Sequence, residues 1–177
     1  MIGALALSLC LTAGDTQDWD PGPSSTVEVS MSMNVLGDQA LVILPLFSLE
    51  YEHVGAIGPL RSSFWDPWGL VVAAGLGPPP PKWLPIREMF AEAGVNYYPL
   101  RSNLFSFRMQ RGPFVGLRAG FVATNYLDDF MRLMGRAGFE WAFRNGVTVS
   151  AAVGFDLRFG EASLTGFIVA VSAGWSF

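Results

Sequence analysis

At 177 residues the chain suffices for one domain, and its composition of 51% hydrophobic, 14% aromatic and only 15% charged residues, with mean hydropathy +0.36, is too apolar for an ordinary soluble domain. A formal net charge of −4 without a basic stripe argues against a nucleic-acid partner. Membrane residence is therefore the first reading, and helices and strands make different demands on it. After residue 14 the longest unbroken apolar run, Ala40 to Phe47, contains Pro45 and is far shorter than the roughly 18 residues of a spanning helix. Abundant glycine and closely spaced turn signals point to strands, whose membrane signature is alternation over about ten residues.

Residues 1–14, MIGALALSLCLTAG, are apolar and uncharged, and the polar segment 15–25 follows, which predicts a secretory signal peptide ahead of a barrel at 26–177. The only cysteine is Cys10, and Leu9 before it is large for a lipidation site. Loss of the leader would leave no cysteine, which is compatible with an oxidising compartment.

In chain order, period-two alternation marks about eight strands. Val27 to Val35 sets Val27, Val29, Met31, Met33 and Val35 against Glu28, Ser30, Ser32 and Asn34. Ala40 to His53 opens as an apolar run and settles into Phe47, Leu49 and Tyr51 against Ser48, Glu50 and Glu52; Pro45 predicts a bulge or a later start. The third strand falls between Ile57 and Gly77, with Gly69 to Leu76 its best piece and Pro67 as an interruption. Met89 to Tyr98 sets Ala91, Ala93, Val95 and Tyr97 against Phe90, Glu92, Gly94, Asn96 and Tyr98. Pro113 to Ala123 alternates Val115, Leu117, Ala119 and Phe121 with Phe114, Gly116, Arg118 and Gly120. Met131 to Arg144 places Leu133, Ala137, Phe139, Trp141 and Phe143 opposite Arg132, Arg136, Gly138, Glu140 and Arg144. Gly146 to Phe159 carries Asp156 and Arg158 on one side only, and Leu164 to Phe177 turns Phe167, Val169, Val171, Ala173, Trp175 and Phe177 to one face.

Backbone amides in hydrocarbon have no water to bond, so a spanning sheet must close on itself. The expected fold is all-β, a closed antiparallel up-and-down transmembrane β-barrel with its N-terminus on the periplasmic side. Asn145-Gly146 predicts a two-residue type I′ turn between the sixth and seventh strands. The segment Leu100 to Gly112, with Arg101, Arg108 and Arg111, is long for a periplasmic turn. One face of the strands carries Glu28, Glu50, Glu52, Glu92, Glu140 and Asp156 with Arg118, Arg132, Arg136, Arg144 and Arg158, while the stretches opposite carry no charge. This segregation predicts a charged lumen and a lipid-facing exterior. Tyr51, Tyr97, Tyr98, Trp141 and Phe143 are expected as interfacial aromatics at the periplasmic end, and Phe121, Phe159 and Phe167 near the other.

The chain resembles the small outer-membrane β-barrels, the OmpA- and OmpW-like eight-stranded group. Ser48-Leu49-Glu50-Tyr51-Glu52, Gly94-Val95-Asn96-Tyr97-Tyr98-Pro99, Gly112-Pro113-Phe114-Val115-Gly116 and Ser172 to Phe177 carry the resemblance over about residues 26 to 177. It implies the bacterial outer membrane as location, with membrane lipid and lipopolysaccharide as surroundings. It also implies Trp175 and Phe177 as the signal read by the barrel-assembly machinery, through edge pairing of the last strand. The group performs many functions, so activity does not follow from it.

His53 is the only histidine, without the partners a zinc or catalytic site needs, and the spaced His-x-Ser pattern of a lipid A deacylase is absent. No catalytic residue, cofactor or metal is expected. The inner charges read as a paired plug in a structural, anchoring or surface-interaction protein, because buried charges must be paired. A narrow channel, a lateral route for small apolar compounds, or a lipid-modifying enzyme are the alternatives.

Overall fold

The computed structural model describes residues 24–36, 42–55, 67–77, 88–101, 111–124, 129–143, 145–160 and 164–177. Eight strands account for nearly all of them: β1 (Ser24–Leu36), β2 (Val42–Val54), β3 (Trp68–Leu76), β4 (Glu88–Tyr97), β5 (Pro113–Thr124), β6 (Phe130–Ala142), β7 (Val147–Phe159) and β8 (Leu164–Ser176). A single 3-10 turn, Pro99–Arg101, follows β4. Each strand pairs antiparallel with its neighbour in sequence, and β8 returns to β1 from Thr26↔Ser176 to Leu36↔Gly166, closing the barrel. The end where β1 begins and β8 finishes is called the base below, and the opposite end the rim.

Closure follows from the alternation. Valine, methionine and phenylalanine on every second residue suit a pleated, half-buried surface, and short polar or glycine positions between them leave room inside a narrow barrel. Gly94 and Gly120 lie directly across from Arg118 and Glu92, and a Cβ at either would collide with those residues. The long inward side chains thus occupy space that the glycines leave.

Three expectations change. Pro45 neither breaks nor bulges β2, which pairs with β1 without interruption from Leu36↔Val42 to Ser24↔Val54. Odd-numbered β2 residues turn their backbone toward β3, as the bond from Gly55 N to Trp68 O indicates, and β2–β3 pairing stops at Phe47↔Leu76. The missing N–H of Pro45 therefore interrupts no ladder bond among the described residues. The turn between β6 and β7 is not type I′, because Asn145 does not have positive φ and Gly146 does (86°). Gly146 N donates to Phe143 O at 2.9 Å and Phe143 N to Val147 O at 2.8 Å, the three-residue pattern with glycine in the left-handed position. Finally, Ser24 and Ser25 belong to β1, which starts two residues ahead of the expected barrel start at residue 26. The signal-peptide reading at 1–14, the loop carrying Lys82 and Trp83, Arg108 and Arg144 lie outside the described residues.

Valine, leucine, methionine and phenylalanine cover the outer wall, including Val29, Leu49, Val72, Leu117, Met131, Val153 and Val169, all exposed. Among the described strand residues none that faces outward is Asp, Glu, Lys or Arg. The charged residues of these strands are inside, an inversion that only a hydrocarbon solvent rewards.

Candidate functional site

The lumen gathers the chemistry of this protein. Inward residues of β1, β2 and β4 to β7 meet there, and most of them are almost wholly buried, with Arg118 at 1% and Asp156 at 0% exposure. Glu88, at the rim end of β4, pairs with Arg158 at 3.0 Å. Arg158 Nε donates to Asp156 at 3.0 Å, and Asp156 accepts in turn from Arg132 Nε at 2.9 Å. Arg132 reaches Glu92 at 3.2 Å, and Glu92 accepts from Arg118 at 2.9 Å. Arg118 also donates to Glu50 at 2.8 Å, which Arg136 approaches at 3.4 Å. Acid and base alternate along this continuous chain. Its total charge is zero, and it runs from the rim to below the middle of the barrel.

Side chains that need no water close the ends of the chain. At the rim, Leu46, Phe90, Val122 and Phe130 form a buried apolar cluster, with the Arg132 guanidinium over the Phe90 ring at 5.3 Å. Met134, Ile168 and Ala170 pack at mid-height, and Arg136 lies over Phe114 at 5.2 Å. A cavity of about 20 Å³ remains in the middle, bordered by Ser30, Ser48, Glu50, Arg118 and Arg136. Such a space holds about one water molecule.

A second cluster seals the base. Arg111 Nη1 donates to Glu52 at 2.7 Å and to Glu140 at 3.3 Å, while its other terminal nitrogen reaches Thr26. The Tyr98 hydroxyl lies 2.8 Å from Glu52 and 2.7 Å from Glu140, and Asn96 donates to the remaining Glu52 oxygen at 2.9 Å. Tyr98 sits just past the end of β4 at 1% exposure. Burial, with the Glu52 and Glu140 charges, raises its hydroxyl well above the ordinary value of 10.0. It therefore stays neutral and shares one proton between two carboxylates. Glu28 belongs to neither cluster. It accepts from Thr148 at 3.0 Å and from Ser172, which is itself bonded to Ser150 at 2.7 Å, and among the described residues no guanidinium pairs with it.

Of the lumen residues expected from sequence, Glu28, Glu50, Glu52, Glu92, Arg118, Arg132, Arg136, Glu140, Asp156 and Arg158 all point inward; Arg144 is outside the described residues. Tyr98 is a correction, since it faces the lumen and not the membrane interface. Its alternation with Phe90, Glu92 and Asn96 already carried that signal. Tyr51 and Phe143 do face outward and are exposed, and Tyr97 and Trp141 are half-buried against Trp68 and Phe139, at ring separations of 5.0 and 4.7 Å. The sequence reading missed Glu88, one residue ahead of the expected strand, and Arg111. Gly112, with φ at 143°, breaks the alternation and lets Arg111 face inward although its parity with β5 is wrong.

The outer wall holds two further features. Near the rim, Ala74, Ala91 and Ala123 floor an open apolar groove of about 400 Å³ walled by Leu76, Met89 and Phe121. Near the base, Ser25 Oγ lies 2.9 Å from His53 Nδ1. Serine and a base do meet here, but no carboxylate holds the far ring nitrogen among the described residues.

No family model matches the chain, and no curated protein matches it. Solved structures do. The Neisserial surface protein A superposes with a TM-score of 0.62 at 9% identity, over 88% of this chain and 97% of that one. The outer membrane protein OprG from Pseudomonas aeruginosa follows at 0.52 and 12% identity, over 88% and 96%. Identity this low speaks for the fold alone, and that fold agrees with the closed sheet and the charge-free exterior. By fold, this chain is a small, closed, eight-stranded antiparallel β-barrel like these two outer-membrane proteins.

Proposed function

We propose that the chain is a non-enzymatic outer-membrane barrel with a plugged lumen, which acts as a structural, anchoring or surface-interaction protein. The observation that carries this reading is the unbroken alternation of Glu88, Arg158, Asp156, Arg132, Glu92, Arg118, Glu50 and Arg136 across the lumen. Each guanidinium is held by at least one carboxylate on another strand, so an ion passing along the axis would have to break several desolvated pairs at once. Planar-bilayer recording on refolded protein tests it. The expected result is a silent membrane; discrete steps in the wild type that vanish in Arg136→Ala would overturn the plug. In the same reading Trp175 and Phe177, outward on the strand that closes the barrel, serve recognition by the assembly machinery, and the exterior contacts lipid and lipopolysaccharide.

One set of features favours a second reading, a lateral route for small apolar compounds. The apolar cluster around Leu46 and Phe90 lies inside near the rim, with the 400 Å³ groove on the wall beside β3. Faster uptake of a short-chain alkene by cells carrying the protein, lost on Leu46→Asp, would support it. Equal uptake with and without the protein would reject it.

A further inference from the structure

We propose that Ser25, Tyr51 and His53 form a binding site on the outer wall, at the base, for the phosphodiester of a membrane-lipid headgroup. The site is built by register. Ser25 and His53 are direct cross-strand partners on β1 and β2, and Tyr51 stands two residues back on the same face. Ser25 Oγ lies 2.9 Å from His53 Nδ1 and 3.1 Å from the Tyr51 hydroxyl.

The tautomer of His53 sets the direction of this relay. A serine hydroxyl donates once, and a neutral tyrosine is a good donor. In the proposed site Tyr51 donates to Ser25 and Ser25 donates to Nδ1 of His53; the reverse direction, from Nδ1–H through Ser25 to Tyr51, makes the same two contacts and is the outcome the tautomer measurement excludes. The imidazole proton then sits on Nε2, since the bond at one ring nitrogen sets the state of the other. Nε2 has no partner among the described residues, so a donor is left at the outer edge of the trio.

Depth identifies what it meets. Tyr51 and Trp175 are exposed on the same wall, and the stacked Trp68 and Tyr97 rings lie at the same end of the barrel. Amphipathic rings of this kind sit at the headgroup level. There the acyl chains give way to phosphate oxygens, the strongest acceptors in that layer. Among the described strand residues no Asp or Glu side chain faces outward, and Glu52, between Tyr51 and His53 in sequence, points into the lumen against Arg111. Without a carboxylate on the imidazole among the described residues, the trio is equipped to hold a phosphodiester, not to cleave an ester.

The chain has one histidine, so its ring nitrogens can be observed without ambiguity. Protein labelled with 15N-histidine, refolded into dimyristoyl phosphatidylglycerol vesicles, should show the Nε2–H tautomer and a 31P dipolar contact to Nε2. Ser25→Ala should mix the tautomers and weaken the contact; Tyr51→Phe should keep the tautomer and weaken the contact less. In native mass spectrometry, His53→Phe should lower retention of phosphatidylglycerol over a phosphate-free galactolipid several-fold. An Nδ1–H tautomer, a missing 31P contact in folded wild type, or unchanged retention in His53→Phe would each overturn the proposal. It rests on the barrel spanning a membrane and not on the plug, so the conductance result does not bear on it.

Discussion

Two residues, Tyr98 and Arg118, show what single side chains hold together. The Tyr98 hydroxyl is kept neutral by burial and by its two carboxylate neighbours, so the folded state binds this proton more tightly than the unfolded chain does. As pH rises past 10.0 the unfolded tyrosine ionises first, and stability contributed by Tyr98 falls until the folded hydroxyl also titrates. Urea midpoints measured between neutral and strongly alkaline pH should therefore drop for the wild type, and the part of that slope due to this residue should disappear in Tyr98→Phe. At neutral pH the same variant should lose about 1–3 kcal/mol, because two buried acceptors lose a donor. Arg118 bridges Glu50 and Glu92, so Arg118→Met takes the shortest partner from each carboxylate, leaves them to Arg136 and Arg132, and should cost about 3 kcal/mol in urea unfolding. Adding Glu92→Met should recover part of that loss if the remaining bond to Arg132 does not compensate the buried charge; a double variant weaker than the single would show that the Arg132 bond is enough to hold Glu92.

Among the elements, the strands were legible in the sequence and their connections were not. All eight alternate, and even the third was found at Gly69 to Leu76 against an observed start at Trp68. Strand faces follow from local parity, which is why ten of the expected inward charges face the lumen. Parity fails where the backbone leaves the extended region, so Gly112 hid Arg111 and the Asn145-Gly146 pair was read as the wrong hairpin. At Gly146 the positive φ predicts a specific cost. Gly146→Ala forces a Cβ into a left-handed conformation and against the Trp175 indole, and should lower stability by about 1–2 kcal/mol or more. Asn145→Ala, which removes only the side-chain bond to Val147 N, should lose less. Following the urea midpoint of the heat-modifiable gel band compares the two. An equal effect of both would mean that the turn is not held by glycine's freedom.

For the molecule as a whole, the property that unites fold and location is the sorting of charge to the inside of the described strands. No single strand requires it, because each could be half of a soluble hairpin with its polar face in water. Closure makes the sorting meaningful. Once β8 pairs with β1, the polar faces share one narrow lumen where acids and arginines neutralise each other, and the apolar faces form a continuous belt. A soluble barrel of the same topology would be expected to reverse the two faces, so a charge placed on the wall distinguishes the cases. Val153 lies at the middle of β7 and is 49% exposed on the belt. In a bilayer Val153→Arg should destabilise the barrel by roughly 2–4 kcal/mol, and Val147→Arg, at the base end of the same strand, by about 0–1 kcal/mol. The measurement is urea unfolding in lipid vesicles with tryptophan fluorescence as the probe. Equal, small effects at both positions would mean that the belt faces water and would remove the membrane from the account, whereas a steep dependence on depth ties the exterior of this barrel to hydrocarbon.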